Sequence, residues 1–214
     1  GDLIAWLDNF GSGVPNDVYV YEISTGRKIR VTNDDTVKYG FMMAGRKILW
    51  TTQTKDNPND YDRATFIHDL DTTTTTDITE KIGTRISILD FDGRRIVWQA
   101  GDSSGATSIY LYDLATSQLT LIDSDDLDKQ GDSVRNPKIS ANKILYKWFW
   151  NCGTWCGQEE LRLYDIATGE KTKVFNNYGF SSDYAIDGDN IVIVLYGQPS
   201  SIYRYKISTD EATS

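Results

Sequence analysis

One short pattern returns five times along this chain, and it limits the fold more than any other feature. Residues 109–116 read Ile-Tyr-Leu-Tyr-Asp-Leu-Ala-Thr. Close copies occupy 18–25 and 161–168, and looser ones 65–72 and 202–209. A second element precedes each copy, at residues 3–6, 47–50, 95–98, 143–146 and 190–193, typically as Ile-x-Trp. Its last position steps from 6 to 50, 98, 146 and 193, spacings of 44, 48, 48 and 47 residues. A repeat of this length means that one supersecondary unit recurs and that neighbouring units complete each other's core.

Each unit holds four strand candidates, here A to D. Strand A is expected at 39–43, 86–91, 137–140 and 184–186, followed by tight Gly- or Asn-containing turns such as Ala44-Gly45 and Ala141-Asn142. Gly and Asn reach the positive φ that short hairpins require. Strand B is the Ile-x-Trp element and strand C the Tyr-x-Tyr-Asp element. A Thr-Gly turn then leads to D, as at 28–32 and 171–175. β-branched and aromatic residues dominate, and no stretch sustains a helical period. Four antiparallel strands per unit, radially repeated, describe an all-β β-propeller. Five blades are expected, at 1–38, 39–83, 84–134, 135–181 and 182–214, together forming one domain. The chain enters at strand B, so one blade should lack its A strand. A ring closed at five would place the first B strand and the last C strand in adjacent blades; the alternative is a piece of a larger ring.

The repeat, Ile-x-Trp followed by Ile-Tyr-x-Tyr-Asp-Leu-x-Thr, resembles the TolB-type propeller repeats, and is closest to those of surface proteins of methanogenic archaea. The resemblance covers nearly the whole chain. It implies a periplasmic or cell-surface binding scaffold and offers no shared catalytic motif.

Charge narrows the partners. Lys and Arg total 22 against 31 Asp and Glu, a net charge of −9. Such a surface repels nucleic acid and anionic membranes alike, and no apolar run nears the ~18 residues of a membrane span. The expected partner is a protein or a glycan at the cell surface, with assembly into a larger surface structure as a further expectation. No cofactor is implied.

Loop lengths indicate the working face. Antiparallel order puts the short A–B and C–D turns on one face and the longer B–C and D–A connections on the other. The B–C connections are expected at 7–17, 51–64, 99–108, 147–160 and 194–201, with a long D–A connection over 123–136. Long loops on a rigid scaffold are where binding groups usually sit. The blade-four segment is unusually aromatic, so Trp148, Trp150 and Trp155 are the expected contacts. The competing reading has Trp148 and Trp150 buried against a neighbouring blade. Cys152 and Cys156 are too few to ligate zinc and lack redox-motif spacing. A disulfide pinning the hairpin tip is the simplest reading, with free thiols as the alternative. A disulfide implies an oxidising, extracellular compartment.

Other candidates read as architecture. His68 occupies the Tyr position of the repeat and is expected to pack. The repeat carboxylates Glu22, Asp69, Asp113 and Asp165 should accept bonds from turn amides. The acidic run Asp123, Asp125, Asp126, Asp128 and Asp132 lacks the order of a calcium loop. Thr72–Thr76 suits a turn and a strand. Five-bladed glycoside hydrolases carry funnel carboxylates near the positions of Asp90 and Asp183, which keeps a hydrolase as the alternative function. A purely structural module of a larger surface protein is the other.

Overall fold

A computed structural model describes residues 1–8, 15–53, 63–83, 86–101, 105–125, 132–151, 157–178, 182–196 and 200–213. Side chains at 53, 86–89, 150–151, 157–158, 175–178 and 182 are also outside the description. The chain groups into two compact units, Gly1–Ile86 and Ser87–Ser214.

The first unit holds two antiparallel sheets. Sheet 1 has three strands, β1 (Leu3–Leu7), β2 (Val18–Glu22) and β3 (Arg27–Arg30), which correspond to B, C and D. The missing A strand is the one the repeat count anticipated. Sheet 2 runs β4 (Lys38–Ala44), β5 (Lys47–Gln53), β6 (Arg63–Asp69) and β7 (Thr74–Asp77). One helical turn, α1 (Thr79–Ile82), follows β7; a single turn is too short to show a period in sequence. Val18 and Val20 of sheet 1 pack with Ile48 and Trp50 of sheet 2.

The second unit holds three four-stranded sheets in sequential order. Sheet 3 is β8 (Ile86–Phe91), whose first residue closes the first unit, β9 (Arg95–Gly101), β10 (Thr107–Asp113) and β11 (Gln118–Ser124). Sheet 4 is β12 (Ser133–Ser140), β13 (Lys143–Asn151), β14 (Gly157–Asp165) and β15 (Lys171–Tyr178). Sheet 5 is β16 (Ser182–Asp187), β17 (Asn190–Leu195), β18 (Ser201–Lys206) and β19 (Glu211–Thr213). Val97, Ile109 and Leu111 of sheet 3 meet Ile144 and Tyr146 of sheet 4. Leu145, Leu161 and Leu163 meet Ile191, Ile193 and Tyr205 of sheet 5. Alternation explains both contacts: successive residues of a strand face opposite sides, so Ile144 and Leu145 serve different neighbours.

Two expectations about loops need correction. Strands β13 and β14 run well beyond the repeat core, so most of the connection expected over 147–160 is paired strand, Asn151 facing Gly157. Likewise β11 reaches Ser124 and β12 begins at Ser133, shortening the connection expected over 123–136. Strand β12 accommodates its extra length through a register shift between Arg135 and Lys138, where Asn136 takes a positive φ of 56°.

One device closes all five sheets at the short-turn end. The amide after each C strand donates to the carbonyl of the residue before its B strand: Ile23 to Asp2, Leu70 to Arg46, Leu114 to Arg94, Ile166 to Asn142 and Ile207 to Asp189, all at 2.8–3.0 Å. The repeat carboxylates reinforce it. Asp113 Oδ1 accepts the Ala115 and Thr116 amides at 2.8 and 3.1 Å. Asp165 Oδ1 does the same for Ala167 and Thr168, and Asp69 for Asp71 and Thr72. Glu22, one methylene longer, takes the Thr25 hydroxyl instead at 2.7 Å.

Candidate binding cavity

Cross-strand pairs between strands B and C build the site. Trp6 stacks on Tyr19, Trp50 on Phe66 and Trp98 on Tyr110, with centroids 5.6–5.9 Å apart and planes within 22°. Each is a directly opposed pair of one antiparallel ladder, the arrangement in which such side chains meet.

In the first unit this stack floors a cavity of about 510 Å³. Trp50, Thr52, Ala64, Phe66 and Thr75 of sheet 2 form one side. Thr52 opposes Ala64 just as Trp50 opposes Phe66, and both are small, which leaves the space empty. The other side is the β3–β4 connection, from Val31 through Thr32, Asn33 and Asp34 to Thr36. This is a D–A connection facing the B–C end of sheet 2, so the cavity opens on the face singled out by loop length.

A polar cluster fixes that connection. Asp17, buried after the first B–C loop, accepts the Thr32 hydroxyl at 2.8 Å and Arg30 Nε at 2.9 Å. Thr32 Oγ1 in turn accepts the Val18 amide at 2.9 Å. The Lys38 ammonium, on a fully buried side chain, donates to Asp34 Oδ1 at 2.6 Å and lies 3.7 Å from Asp17. Asn16 grips the Lys38 backbone, accepting its amide at 2.6 Å and donating to its carbonyl at 3.3 Å. Burial pushes the Asp17 carboxyl up, but the bonds from Thr32 and Arg30 outweigh it and hold the carboxyl below the usual range. Asp34 is held low in the same way by Lys38 and Thr36. Thr32, Thr36 and Thr75 use their hydroxyls internally. Thr52 is nearly buried in the cavity wall.

The residues expected from sequence lie elsewhere. Trp148 is on β13, packed with Ile144 and Tyr146 against the sheet 3 core. The Arg162 guanidinium covers its ring at 3.9 Å from the centroid. Trp150 is on the same strand opposite Gln158, with its side chain outside the described set. Cys152, Trp155 and Cys156 lie outside the described residues. Asp90 and Asp183 are tied to backbone: Asp90 accepts the Phe91 and Ile139 amides at 3.0 and 2.9 Å, and Asp183 accepts Tyr184 at 2.9 Å. His68 is buried, its Nδ1 2.9 Å from Thr75 Oγ1, and burial lowers its pKa. Asp123 accepts the Tyr146 hydroxyl at 2.7 Å and Lys171 at 2.8 Å, and Asp125 accepts the Thr107 amide at 2.7 Å; Asp126 and Asp128 are outside the described residues. Among the described residues no three His, Cys, Asp or Glu side chains gather to hold a metal ion, and no helix is long and apolar enough to cross a membrane.

The sequence reading missed the Asn16–Asp17–Lys38 cluster. The available signal was the pairing of two small residues, Thr52 and Ala64, at register positions that hold Trp148 and Glu160 in sheet 4.

No family model and no curated protein matches the chain. Solved structures do. TolB from Acinetobacter baumannii superposes with a TM-score of 0.61 at 16% identity, over 100% of this chain and 53% of TolB. The β-propeller domain of the trilobed protease from Pyrococcus furiosus gives 0.69 at 13%, over 100% and 68%. An oligogalacturonate lyase in complex with manganese gives 0.68 at 13%, over 99% and 61%. The chain therefore spans about half of TolB and under two thirds of the lyase. At these identities the likeness is one of fold: the chain is a five-bladed β-propeller, similar in fold to the propellers of TolB and the trilobed protease.

Proposed function

We propose that this propeller is a non-catalytic binding module of the extracellular space or cell surface, taking a protein or glycan partner on the face of its B–C and D–A connections. The cavity on sheet 2 carries this reading. Its volume is in the range of ligand sites, and it joins an apolar aromatic floor to a few placed polar groups. The connection that walls it is already fixed by Asp17, Asn16 and Lys38, so little ordering remains to oppose binding. Trp155 and the Trp148–Trp150 edge of β13 are proposed as further contacts, and the Cys152–Cys156 bond as the staple of that loop.

A glycan array and a panel of hydrolase substrates test this together. The expected result is retention of one ligand class without turnover, lost in Ala64→Phe while the melting temperature holds. Turnover that disappears in Asp90→Asn or Asp183→Asn would establish the hydrolase instead. Against that alternative, both Asp90 oxygens accept backbone amides, whereas a general acid or base needs an oxygen facing its substrate. Titration of the unreduced, denatured protein should find no thiol; two free thiols remove the staple and the oxidising compartment with it.

A further inference from the structure

Five copies of one unit allow each position to be compared with its counterparts. The D strand is the last of every sheet, and an outermost strand presents a row of backbone N–H and C=O groups beyond the reach of its own ladder. On sheet 3 that strand is β11, where Leu119 opposes Tyr112 and Leu121 opposes Tyr110. The place of Leu119 is held in the other sheets by Lys28, Thr75, Lys171 and Ala212. The place of Leu121 is held by Arg30, Asp77 and Lys173. These counterparts are exposed in both compact units, so exposure here belongs to the outer strand of a blade as such. Leu119 and Leu121 share it, at 49% and 53%. Where the other sheets carry charged or small side chains, sheet 3 carries two leucines.

Charged side chains on an edge strand guard it against pairing with another chain, and apolar ones invite that pairing. The segment Gln118-Leu119-Thr120-Leu121-Ile122 carries no charge, and its ladder is regular from Gln118 to Leu121. It also matches itself. In an antiparallel pair turned about Thr120, Leu119 of one strand stands opposite Leu121 of the other, twice over, and four leucines share one face. The first carboxylate of the strand, Asp123, then falls opposite Ser117, and it is already engaged by Tyr146 and Lys171. Two chains of net charge −9 repel each other, and this uncharged edge is where a second copy meets the first at least cost. We propose that two copies of this chain pair edge to edge through β11, joining their third sheets into one continuous sheet. The contact is isologous and closes at two copies. A standard interface engages about 20–30 residues a side; one edge strand engages far fewer, so the dimer is weak and forms as concentration rises. It uses no residue of the cavity and stands independently of the binding reading.

Sedimentation of the 214-residue chain across a concentration series tests the proposal. The wild type should pass from one chain to a dimer and stop there. Leu119→Lys combined with Leu121→Lys installs the residues that sheet 4 carries at these places, Lys171 and Lys173. This variant should therefore match wild type in circular dichroism and in melting when dilute, yet stay monomeric, because like charges then stand opposite each other. Leu119→Glu combined with Leu121→Glu should be monomeric for the same reason. Mixed in equal amounts, the two variants should dimerise, because each Lys then faces a Glu. Ile23→Lys, at an exposed apolar position away from this edge, should dimerise as wild type. A wild type that stays monomeric at every concentration overturns the proposal and leaves the edge to a foreign strand. A lysine variant that still dimerises puts the contact elsewhere and overturns it too. So does a mixture that stays monomeric, because only β11 facing β11 permits that rescue.

Discussion

Sheets 2 and 4 present the same strand positions and fill them in opposite ways. On sheet 2 the pairs Trp50–Phe66 and Thr52–Ala64 leave a cavity. On sheet 4 their counterparts are Tyr146–Arg162 and Trp148–Glu160, larger side chains that occupy the same positions. Arg162 lies on Trp148 and donates to Glu160 at 3.2 Å. Lys173 donates to Glu160 at 3.0 Å, and Asp123 gathers Tyr146 and Lys171. The backbone ladder is indifferent to the choice. A slot set by strand pairing can hold a stabilising network or a ligand space, and two small residues decide which.

The sharpest way to break this comparison is to empty one slot and fill the other. Trp148→Ala removes a half-buried indole and its cation–π partner, and should cost about 3 kcal/mol of stability, read as a lower denaturant midpoint. Ala64→Leu adds a similar apolar side chain where space already exists, and should change stability by less than about 1 kcal/mol. A large loss at Ala64 would mean that the cavity closes in solution, and the contrast between the sheets would fail.

The two slots should also differ in their response to pH. Asp17 and Asp34 are held below the ordinary carboxylate range in the fold. Their contribution is complete above the unfolded value near ~4 and is lost as pH falls through the lower folded values. Asp34 is half exposed, so Asp17 should carry most of it. In the second unit three tyrosines are shifted to the alkaline side. Burial, then the charge of Asp123, raises Tyr146; burial, then Asp183 and Glu159, raises Tyr184. Burial and the bond to Asp210 bring Tyr205 to about 12. Tyrosines that stay protonated in the fold stabilise it fully below the unfolded value near ~10, and this is lost as pH rises through the folded value. Asp17→Asn should flatten only the acid limb of a stability profile, and Tyr146→Phe only the alkaline limb. Identical limbs in variant and wild type would detach these groups from the slots.

The sequence made the ladder legible and left the slots hidden. Period-two alternation along β13 puts Ile144, Tyr146 and Trp148 on one face, and all three pack in one core. The recurrence of Glu22, Asp69, Asp113 and Asp165 marked them as acceptors for turn amides, which the three aspartates are, while Glu22 takes the Thr25 hydroxyl. A cavity, by contrast, depends on what is missing between strands distant in sequence. Neither Thr52 nor Ala64 looks unusual alone; only the register that opposes them shows the gap. Arg162 over Trp148 was hidden for the same reason, since it requires knowing which residues of β13 and β14 face each other. The length of β13 was misjudged because a strand running past its repeat core looks like a loop when only the repeat is used to find strands.

The smallest expected difference between these sheets lies in their C–D turns. Gly169 closes the turn of sheet 4 at φ 74°, and Gly26 closes that of sheet 1 at 69°. In sheet 2 the same place is held by Thr73 at φ 56°. A β-branched residue there brings its Cβ against the backbone, at a cost of about 1–2 kcal/mol. Thr73→Gly relieves this but frees the unfolded chain, which returns part of the gain. The net expectation is a stabilisation of about 0.5–1 kcal/mol, seen as a higher melting temperature. Gly169→Thr should lose at least as much, because it imposes the same conformation on a turn built for glycine. The Gly169 site itself has room, with the nearest atom to an added Cβ being the Tyr164 hydroxyl oxygen at 3.8 Å, so the loss would report backbone conformation rather than a clash. If Thr73→Gly lowers the melting temperature, the Thr72–Thr74 hydroxyl contact at 2.7 Å across this turn outweighs the strain, and the threonine run is a stabilising feature of sheet 2 rather than a tolerated one.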